Sequence, residues 1–201
     1  MVDSNIEIPI EVSARHVHLS KDHVNALFGH GYKLTPVKML SQPGQFAAEE
    51  IVIIRGPKNE LGDVRILGPV REFTQVEVSQ TDQYSLGLKV PIRPSGTLAD
   101  TPGVTILGPA GKVELSQGVI TAVRHIHMTP DDAERIGVED RYVVRVKIRG
   151  KRELLYGDVL VRVNSKYRLA MHLDTDEANA ADISGYTMGV IDSIQNTSGE
   201  I

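Results

Sequence analysis

Apolar and polar residues alternate with a period of two along much of this chain of 201 residues, a pattern typical of half-buried β-strands. The first alternating segment is "IEIPIEV" (6–12), where the central Pro9 indicates an edge strand. Turn signals such as Gly-Pro at 56–57 and Pro-Gly at 102–103 separate the later segments. The same pattern predicts further strands at 33–40, 50–55, 63–67, 74–79, 104–107, 112–115, 142–148, 158–163 and 168–173. Many short strands joined by glycine-rich turns favour a β-barrel or a β-sandwich.

Short helices are predicted in two places. Ser20 can cap a helix over "KDHVNALF", which Gly29 would end. Thr129 can cap a second helix, which begins with a proline and ends before Gly137. Each predicted helix follows directly on a segment of the form Arg-His-x-His.

Two segments of the chain repeat each other. "VSARHVHLS" (12–20) and "TAVRHIHMT" (121–129) share the pattern Arg-His-x-His-apolar-hydroxyl. Downstream of each copy, "IIRGPKNELGDVRI" (53–66) resembles "KIRGKRELLYGDVLV" (147–161), with Arg-Gly, Glu-Leu and Gly-Asp-Val in common. Repeats this long and this diverged indicate two copies of one domain rather than a solenoid.

The paired histidines are candidate metal ligands. In a strand, residues i and i+2 point to the same face about 7 Å apart, so His16 and His18 can converge on one ion, as can His125 and His127. One isolated pair would more often be explained by ordinary hydrogen bonding. Two pairs, each behind an arginine and each before a capped helix, make chance a poor explanation.

A third ligand for each ion follows from the repeat. Glu77 lies fourteen residues beyond Asp63 of the first Gly-Asp-Val, and His172 lies fourteen beyond Asp158 of the second. Taken alone, Glu77 would ordinarily be a solvent-facing carboxylate, but its matched position favours a ligand. A metal ion acting as a Lewis acid commonly takes three protein ligands and keeps one position open. The predicted sets are His16, His18 and Glu77 for one ion, and His125, His127 and His172 for the other.

The amino-acid composition excludes several kinds of functional site and partner. The chain has no cysteine, which excludes a disulfide framework, a thiolate nucleophile and thiolate metal ligands. Its formal charge of −4 offers no basic excess for a nucleic-acid partner. The N-terminal residues contain neither a signal-peptide pattern nor an apolar span, so we expect a cytoplasmic protein without a membrane partner.

Several segments resemble one known family. The segments "EVSARHVHLS", "LSQPGQFAAEE", "RILGPVR", "TQVEVS", "VRHIHMT" and "HLDTDEANAA" occur in the order found in PduL-type phosphate propanoyltransferases, phosphotransacylases associated with bacterial microcompartments. The likeness extends from about residue 10 to residue 190.

This resemblance implies a mostly β fold of two related small β-barrels, capped by short α-helices, with the active site where the barrels meet. It also implies interleaved domains: an inserted barrel at 15–121, a second barrel formed by 5–14 plus 122–192, and a C-terminal tail at 193–201. Members of the family carry two zinc ions (Zn²⁺) on the six positions predicted above.

The resemblance also implies substrate-binding residues. Arg71 matches the family's phosphate-binding, catalytic arginine, although a strand-end arginine is usually a solvated charge. Tyr84 would stack on the adenine of coenzyme A, although a tyrosine in a β-rich protein is more often simply packed. The remaining active-site positions are Ser13, Gln42, Gln45, Arg162 and Asn179. Of these, Gln42 and Gln45 flank a Pro-Gly turn and could serve only to order it.

The function implied is reversible transfer of an acyl group, propanoyl or acetyl, from coenzyme A to phosphate at a dinuclear zinc site. Its partners are acyl-coenzyme A and phosphate, and we expect a homodimer. Two alternatives stay open at this point: a dinuclear metal-dependent hydrolase, and a noncatalytic module stabilised by closed zinc sites. Microcompartment members carry an N-terminal encapsulation helix, whereas about ten residues precede the first motif here. Two explanations stay open: a free cytoplasmic member of the family, which we expect, or a chain whose N-terminus has been trimmed.

Overall fold

The computed structural model describes residues 2–3 and 5–198, and it divides into two compact units. The first unit contains the described residues up to Ser13, the segment Ser41–Pro43, and the described residues from Val123 onward. The second unit contains Ala14–Leu40 and Gly44–Ala122. Residues 199–201 of the predicted tail lie outside the described residues.

Fifteen strands and four short helices lie within the described residues. The strands are β1 (Glu7–Ser13), β2 (His16–His18), β3 (Pro36–Met39), β4 (Phe46–Arg55), β5 (Glu60–Gly68), β6 (Gln75–Glu77), β7 (Ile92–Arg93), β8 (Thr105–Leu107), β9 (Lys112–Glu114), β10 (Val119–Ala122), β11 (His125–Met128), β12 (Val143–Ile148), β13 (Leu154–Val163), β14 (Ala170–Asp174) and β15 (Thr187–Asn196). The helices are α1 (Lys21–Phe28), α2 (Gln80–Leu86), α3 (Pro130–Ile136) and α4 (Thr175–Ala180). The predicted mostly β fold with short α-helices is confirmed.

The first unit is built on a closed barrel with the strand order β1, β14, β11, β13, β12, β15. β1 runs parallel to β14 and antiparallel to β15, so the prediction of an edge strand from Pro9 is wrong. The ladder with β14 begins at Ile10, and Pro9 pairs with Met188 of β15 before that ladder starts. The missing N–H of Pro9 therefore breaks no ladder bond to β14. Residues 193–196, assigned above to the tail, form the end of β15 and pair with β12.

The second unit is a curled sheet in the order β7, β10, β6, β2, β5, β4, β8, β9, with β3 paired to β4. The core of each unit consists mainly of aliphatic side chains, as the low aromatic content of 4% predicts. Val17, between the two histidines of β2, is completely buried in the second unit, and Ile126 of β11 is completely buried in the first. The histidines are thus carried on the opposite face of strands whose other face lies in the aliphatic core.

The two copies of the sequence repeat share one pairing scheme. β2 is antiparallel to β6 and parallel to β5, and β11 is antiparallel to β14 and parallel to β13. In each parallel neighbour, the aspartate of Gly-Asp-Val adopts the left-handed region, with φ of 53° at Asp63 and 51° at Asp158.

All four helices begin with a capping side chain. Ser20 caps α1 and Thr129 caps α3, and both helices end at the predicted glycines. α2 and α4 were not predicted from the sequence; they are capped by Ser79 and Asp174. No helix among the described residues is long and apolar enough to cross a membrane.

Candidate functional site

In the second unit, the structure brings His16, His18 and Glu77 together. His16 and Glu77 are directly paired across the antiparallel ladder of β2 and β6, and His16 Nε2 lies 3.5 Å from Glu77 Oε2. The ring centres of His16 and His18 are 4.9 Å apart. One potential ligand atom from each of the three residues lies within 4.8 Å of the other two, which is close enough for one metal ion.

Backbone carbonyls orient these imidazoles. His16 Nδ1 donates to the carbonyl oxygen of Ala14 at 2.9 Å, and His18 Nδ1 lies 3.2 Å from that of Leu67. A histidine whose Nδ1–H is held by a carbonyl presents Nε2 as a lone-pair donor, which is the usual arrangement for a metal ligand. Each carbonyl therefore holds a proton on Nδ1, which leaves Nε2 as the nitrogen that could bind a metal ion.

Burial and charge act differently on the two histidines. Burial lowers the pKa of His18 to about 3, and the positive charges of His16 and Arg71 act in the same direction. Burial also opposes protonation of His16, but the Glu77 carboxylate and the carbonyl of Ala14 outweigh it, so the pKa of His16 is raised. At neutral pH, His18 is neutral and needs to lose no proton before it binds a metal ion.

Glu77 is itself held by two residues that sequence reasoning missed. The Gln75 side-chain amide and the Ser95 hydroxyl, the latter at 3.1 Å, both donate to Glu77 Oε1. The Gln75 side-chain oxygen accepts in turn from the backbone N–H of Gly96 at 2.8 Å. Gln75 precedes Glu77 by two residues on one face of β6, a spacing that could have indicated it; nothing in the sequence indicates Ser95.

The first unit holds the equivalent cluster of His125, His127 and His172. His125 and His172 are directly paired across β11 and β14, and their ring centres are 5.1 Å apart. His127 completes the cluster, with ring centres 4.6 Å from His125 and 5.0 Å from His172. His125 Nδ1 donates to the carbonyl oxygen of Val123 at 2.7 Å, as His16 does to Ala14. Ligand atoms from all three residues lie within 4.8 Å of one another.

Two further residues flank this cluster and have no sequence signal of their own. Glu11 of β1 is paired with His172, and its Oε2 lies 3.8 Å from His172 Nδ1. The Tyr167 ring lies against His127, with ring centres 4.2 Å apart. Arg162, a predicted substrate residue, is paired with His127 across β11 and β13 and lies over the Tyr167 ring at 5.9 Å.

A capping residue follows the last cluster residue of each of these four strands by two positions. The pairs are His18 and Ser20, Glu77 and Ser79, His127 and Thr129, and His172 and Asp174. Each ligand strand therefore passes directly into a helix that fixes its end.

Arg71 lies beside the cluster of the second unit. Its backbone N–H donates to Leu19, the residue after His18, at 2.9 Å, and it forms an isolated bridge with Ser20. Its positive charge lowers the pKa of both His16 and His18, after the larger effects described above. The Arg71 charge therefore acts on both histidines of this cluster.

The other predicted substrate residues have varied surroundings. Ser13 ends β1 beside Asp174, and Asn179 is exposed on α4. The Gln42 amide is buried and bonds both backbone groups of Arg168, accepting from its N–H at 3.3 Å and donating to its carbonyl oxygen at 2.9 Å.

The two remaining candidates belong to the second unit. The Gln45 carbonyl oxygen accepts from Leu40 N–H at 3.0 Å and closes the Pro-Gly turn. Tyr84 is 76% exposed on α2, and the Lys58 ammonium lies 4.6 Å from its ring centre.

Comparison with known proteins decides the family. The family model for phosphate propanoyltransferase matches residues 9–184, which is most of the chain. The chain belongs to the phosphate propanoyltransferase family. It is therefore an enzyme of the acyltransferase class, and the resemblance inferred from its motifs is confirmed.

Relatives in this family are similar over nearly the whole chain. The phosphate propanoyltransferase of Leptotrichia buccalis is 54% identical over 187 residues, covering 92% of this chain and 87% of the relative. That of Thermotoga maritima is 55% identical over 175 residues, covering 87% and 83%. That of Listeria monocytogenes is 49% identical over 183 residues, covering 91% and 84%.

Proposed function

We propose that this phosphate propanoyltransferase family member transfers an acyl group reversibly between coenzyme A and phosphate, with two zinc ions bound per chain. One zinc ion would be held by His16, His18 and Glu77, and the other by His125, His127 and His172. The observation that carries the proposal is the convergence of three imidazole or carboxylate ligands at equivalent places in both units.

The ligand chemistry fits zinc. Zinc accepts imidazole nitrogen and carboxylate oxygen, and three protein ligands leave one coordination position for a substrate. Structural zinc sites generally recruit four protein ligands, which favours a catalytic role for these three-ligand sets. When bound, zinc would supply Lewis-acid stabilisation of negative charge on oxygen or on a departing thiolate.

Direct attack of phosphate on the thioester is the simplest chemistry for these residues. A phosphate oxygen forms a bond to the acyl carbon, the carbon–sulfur bond breaks, and coenzyme A leaves as a thiolate that takes up a proton. Phosphate is already nucleophilic at neutral pH, so no strong general base is required. With no cysteine and no Gly-x-Ser-x-Gly elbow, the sequence offers no support for an acyl-enzyme.

Arg71 is the residue that we assign to phosphate. A guanidinium beside the metal cluster would hold the phosphate dianion and reduce its repulsion from the anionic coenzyme A. Ser13, Gln45, Arg162 and Asn179 are further candidates for contacts to substrate.

Tyr84 and Gln42, two of the proposed substrate-binding residues, already make other contacts within the protein. Tyr84, with its ring face beside Lys58, is exposed as an adenine-stacking residue would be in the free enzyme. Gln42 contributes through the position of Arg168, since its side chain is already bonded to the Arg168 backbone.

The decisive test is thiol release from acyl-coenzyme A with and without phosphate, combined with zinc analysis of the same sample. We expect release that depends strictly on phosphate and yields an acyl phosphate, with propanoyl and acetyl thioesters compared directly. Thiol release that proceeds equally without phosphate would indicate the hydrolase instead.

A further inference from the structure

We infer that the arginine before each His-x-His pair is a positioning residue for the adjacent metal centre, acting through an ion pair with the helix behind the third ligand. This inference rests on the proposed zinc sites and deepens them. The two ion pairs, Arg15 with Asp82 and Arg124 with Glu177, are called the arginine clamps below.

The clamp of the second unit joins β2 to α2. Arg15 Nε donates to Asp82 Oδ1 at 2.8 Å, and a terminal guanidinium nitrogen of Arg15 lies 2.7 Å from the same oxygen. Asp82 is only 5% exposed, and its other oxygen accepts from the backbone N–H of Ser79 at 3.2 Å. Ser79 caps α2 and lies two residues after Glu77. The ion pair therefore connects the strand that carries His16 and His18 to the chain segment that follows Glu77.

The first unit repeats this arrangement with different residues. Arg124 Nε lies 3.0 Å from Glu177 Oε1, and Glu177 Oε2 accepts from the backbone N–H of Asp174 at 2.9 Å. Asp174 caps α4 and lies two residues after His172. The acid is aspartate in one unit and glutamate in the other, and the cap is serine in one and aspartate in the other. The connection is the same, although the residue types that make it differ.

Helix capping alone does not account for the two arginines. The capping box of α3 has the same third-position acid, Asp132, but Asp132 bonds Arg135 of its own helix, 2.9 Å away. The capping box of α3 therefore forms without an ion pair to an arginine that precedes a His-x-His pair. The distant arginine is an addition, and it occurs in both units at the helix that follows the third ligand.

Each arginine directly follows the residue whose carbonyl orients the first imidazole of the cluster. The residue before it, Ala14 or Val123, supplies the carbonyl oxygen that accepts from the first histidine. Immobilising the arginine side chain therefore immobilises the short backbone segment that sets the orientation of His16 or His125. The carboxylate end of the clamp immobilises the start of the helix behind Glu77 or His172. Loss of a group that orients metal ligands typically weakens metal binding by about 10-fold to 100-fold.

The test is a zinc titration of the full-length chain, in competition with a chromophoric chelator. In the Arg124→Met variant we expect one of the two zinc ions to bind about 10-fold to 100-fold more weakly, with the other unchanged. Arg15→Met should weaken the other zinc ion instead, so each variant contains its own unaffected centre. Arg135→Met is the matched control, because it removes an arginine from a capping-box acid without touching a clamp, and both affinities should match wild type.

A second variant distinguishes the effect of the ion pair on zinc binding from the effects of helix capping and of folding. Glu177→Gln keeps a side chain that can complete the capping box but removes the negative charge. It should weaken the same zinc ion as Arg124→Met, and the double variant should be no weaker than the single variants, because both remove one interaction. The visible absorption of the Co²⁺-substituted chain should change at that centre in all three.

The possible outcomes separate this inference from the proposed function. Two zinc ions in wild type, with unchanged affinities and Co²⁺ spectra in the folded clamp variants, would overturn the clamps and leave the zinc proposal standing. Lowered thermal stability with unchanged zinc affinity would assign the ion pairs to folding alone and overturn the inference. A wild-type chain that binds no zinc would overturn both.

Discussion

His16 of β2 and Glu77 of β6 are directly paired across an antiparallel ladder, with Nε2 of His16 3.5 Å from Oε2 of Glu77. His125 and His172 occupy the same pairing positions on β11 and β14. One register therefore produces two candidate ligand sets of different charge, with a carboxylate in the second unit and imidazoles alone in the first. At His16 the Glu77 carboxylate outweighs burial and the pKa is raised, whereas at His18 burial outweighs it and the pKa is lowered.

Replacing His125 by alanine should remove close to one zinc ion per chain, because two ligands hold zinc far more weakly than three. Metal analysis of the purified variant against wild type measures the loss. His30→Ala is the control, since His30 is exposed and belongs to neither ligand set, and its zinc content should equal that of wild type. Unchanged zinc content in His125→Ala would refute the ligand set of the first unit.

Replacing Arg71 by alanine should lower turnover at saturating phosphate by about 10²-fold to 10³-fold, a loss typical of a group that stabilises developing negative charge. Zinc content should stay at the wild-type level, because Arg71 is not a ligand. Arg55→Ala removes an exposed surface arginine paired with Glu60 and should leave turnover unchanged. Near wild-type turnover in Arg71→Ala would show that phosphate is held elsewhere.

Replacing Gln42 by alanine should lower the free energy of unfolding of the first unit by about 1–3 kcal/mol, because the Arg168 backbone loses both hydrogen-bond partners. Denaturant unfolding of the variant measures this change. Gln45→Ala is the comparison, since that residue closes its turn through the backbone, and its unfolding free energy should stay close to wild type. Equal stability of the two variants would contradict the structural role of Gln42.

Glu50 should make a pH-dependent contribution to the stability of the second unit. It is 8% exposed and accepts from the Tyr32 hydroxyl at 2.9 Å and the Thr35 N–H at 3.0 Å. Burial alone would raise its pKa, but hydrogen bonds from the backbone, from Thr35 and from Tyr32 lower it below the ordinary value of 4.5. A lowered folded-state pKa means stabilisation that is present above pH 4.5 and is lost as the pH falls through the folded-state pKa.

Glu50→Gln should therefore be less stable than wild type by about 1 kcal/mol at pH 7, with the difference shrinking below pH 4.5. Unfolding free energies of both proteins across this range give the comparison. A constant difference at every pH would mean that the Glu50 charge contributes nothing.

Local signals in the sequence predict α1 and α3 well, since each has a hydroxyl cap, a continuous pattern and a terminal glycine. α2 is as long as α3 and also has a hydroxyl cap, Ser79, and a terminal glycine, Gly87, so its local signals could have indicated it. α4 (Thr175–Ala180) has six residues and carries no large apolar residue, so its periodicity gives no helix signal. Pro9 does not mark an edge strand because a proline can occur inside a barrel where one neighbouring ladder has not yet begun.

The place of Glu77 and His172 beside the paired histidines could be predicted because the repeat preserves register. Glu77 and His172 follow their Gly-Asp-Val segments by the same number of residues. Because the two units pair their strands in the same register, each of these residues lies opposite the first histidine of its pair. The arginine clamps could not be found in the same way, since Arg15 and Asp82 are 67 residues apart and meet only through tertiary folding. Tyr167 and Ser95 lie in irregular segments, where no periodicity relates sequence position to spatial position.

The segment Ser41–Pro43 belongs to the first unit, although the chain on either side of it belongs to the second. Chimeras that graft residues 14–122 of one relative into another would therefore separate Gln42 from the Arg168 backbone that it bonds. Such hybrids should recover full stability when the graft keeps residues 41–43 of the recipient. Shuffling within this family therefore requires an insert in two segments, residues 14–40 and 44–122, rather than one uninterrupted insert.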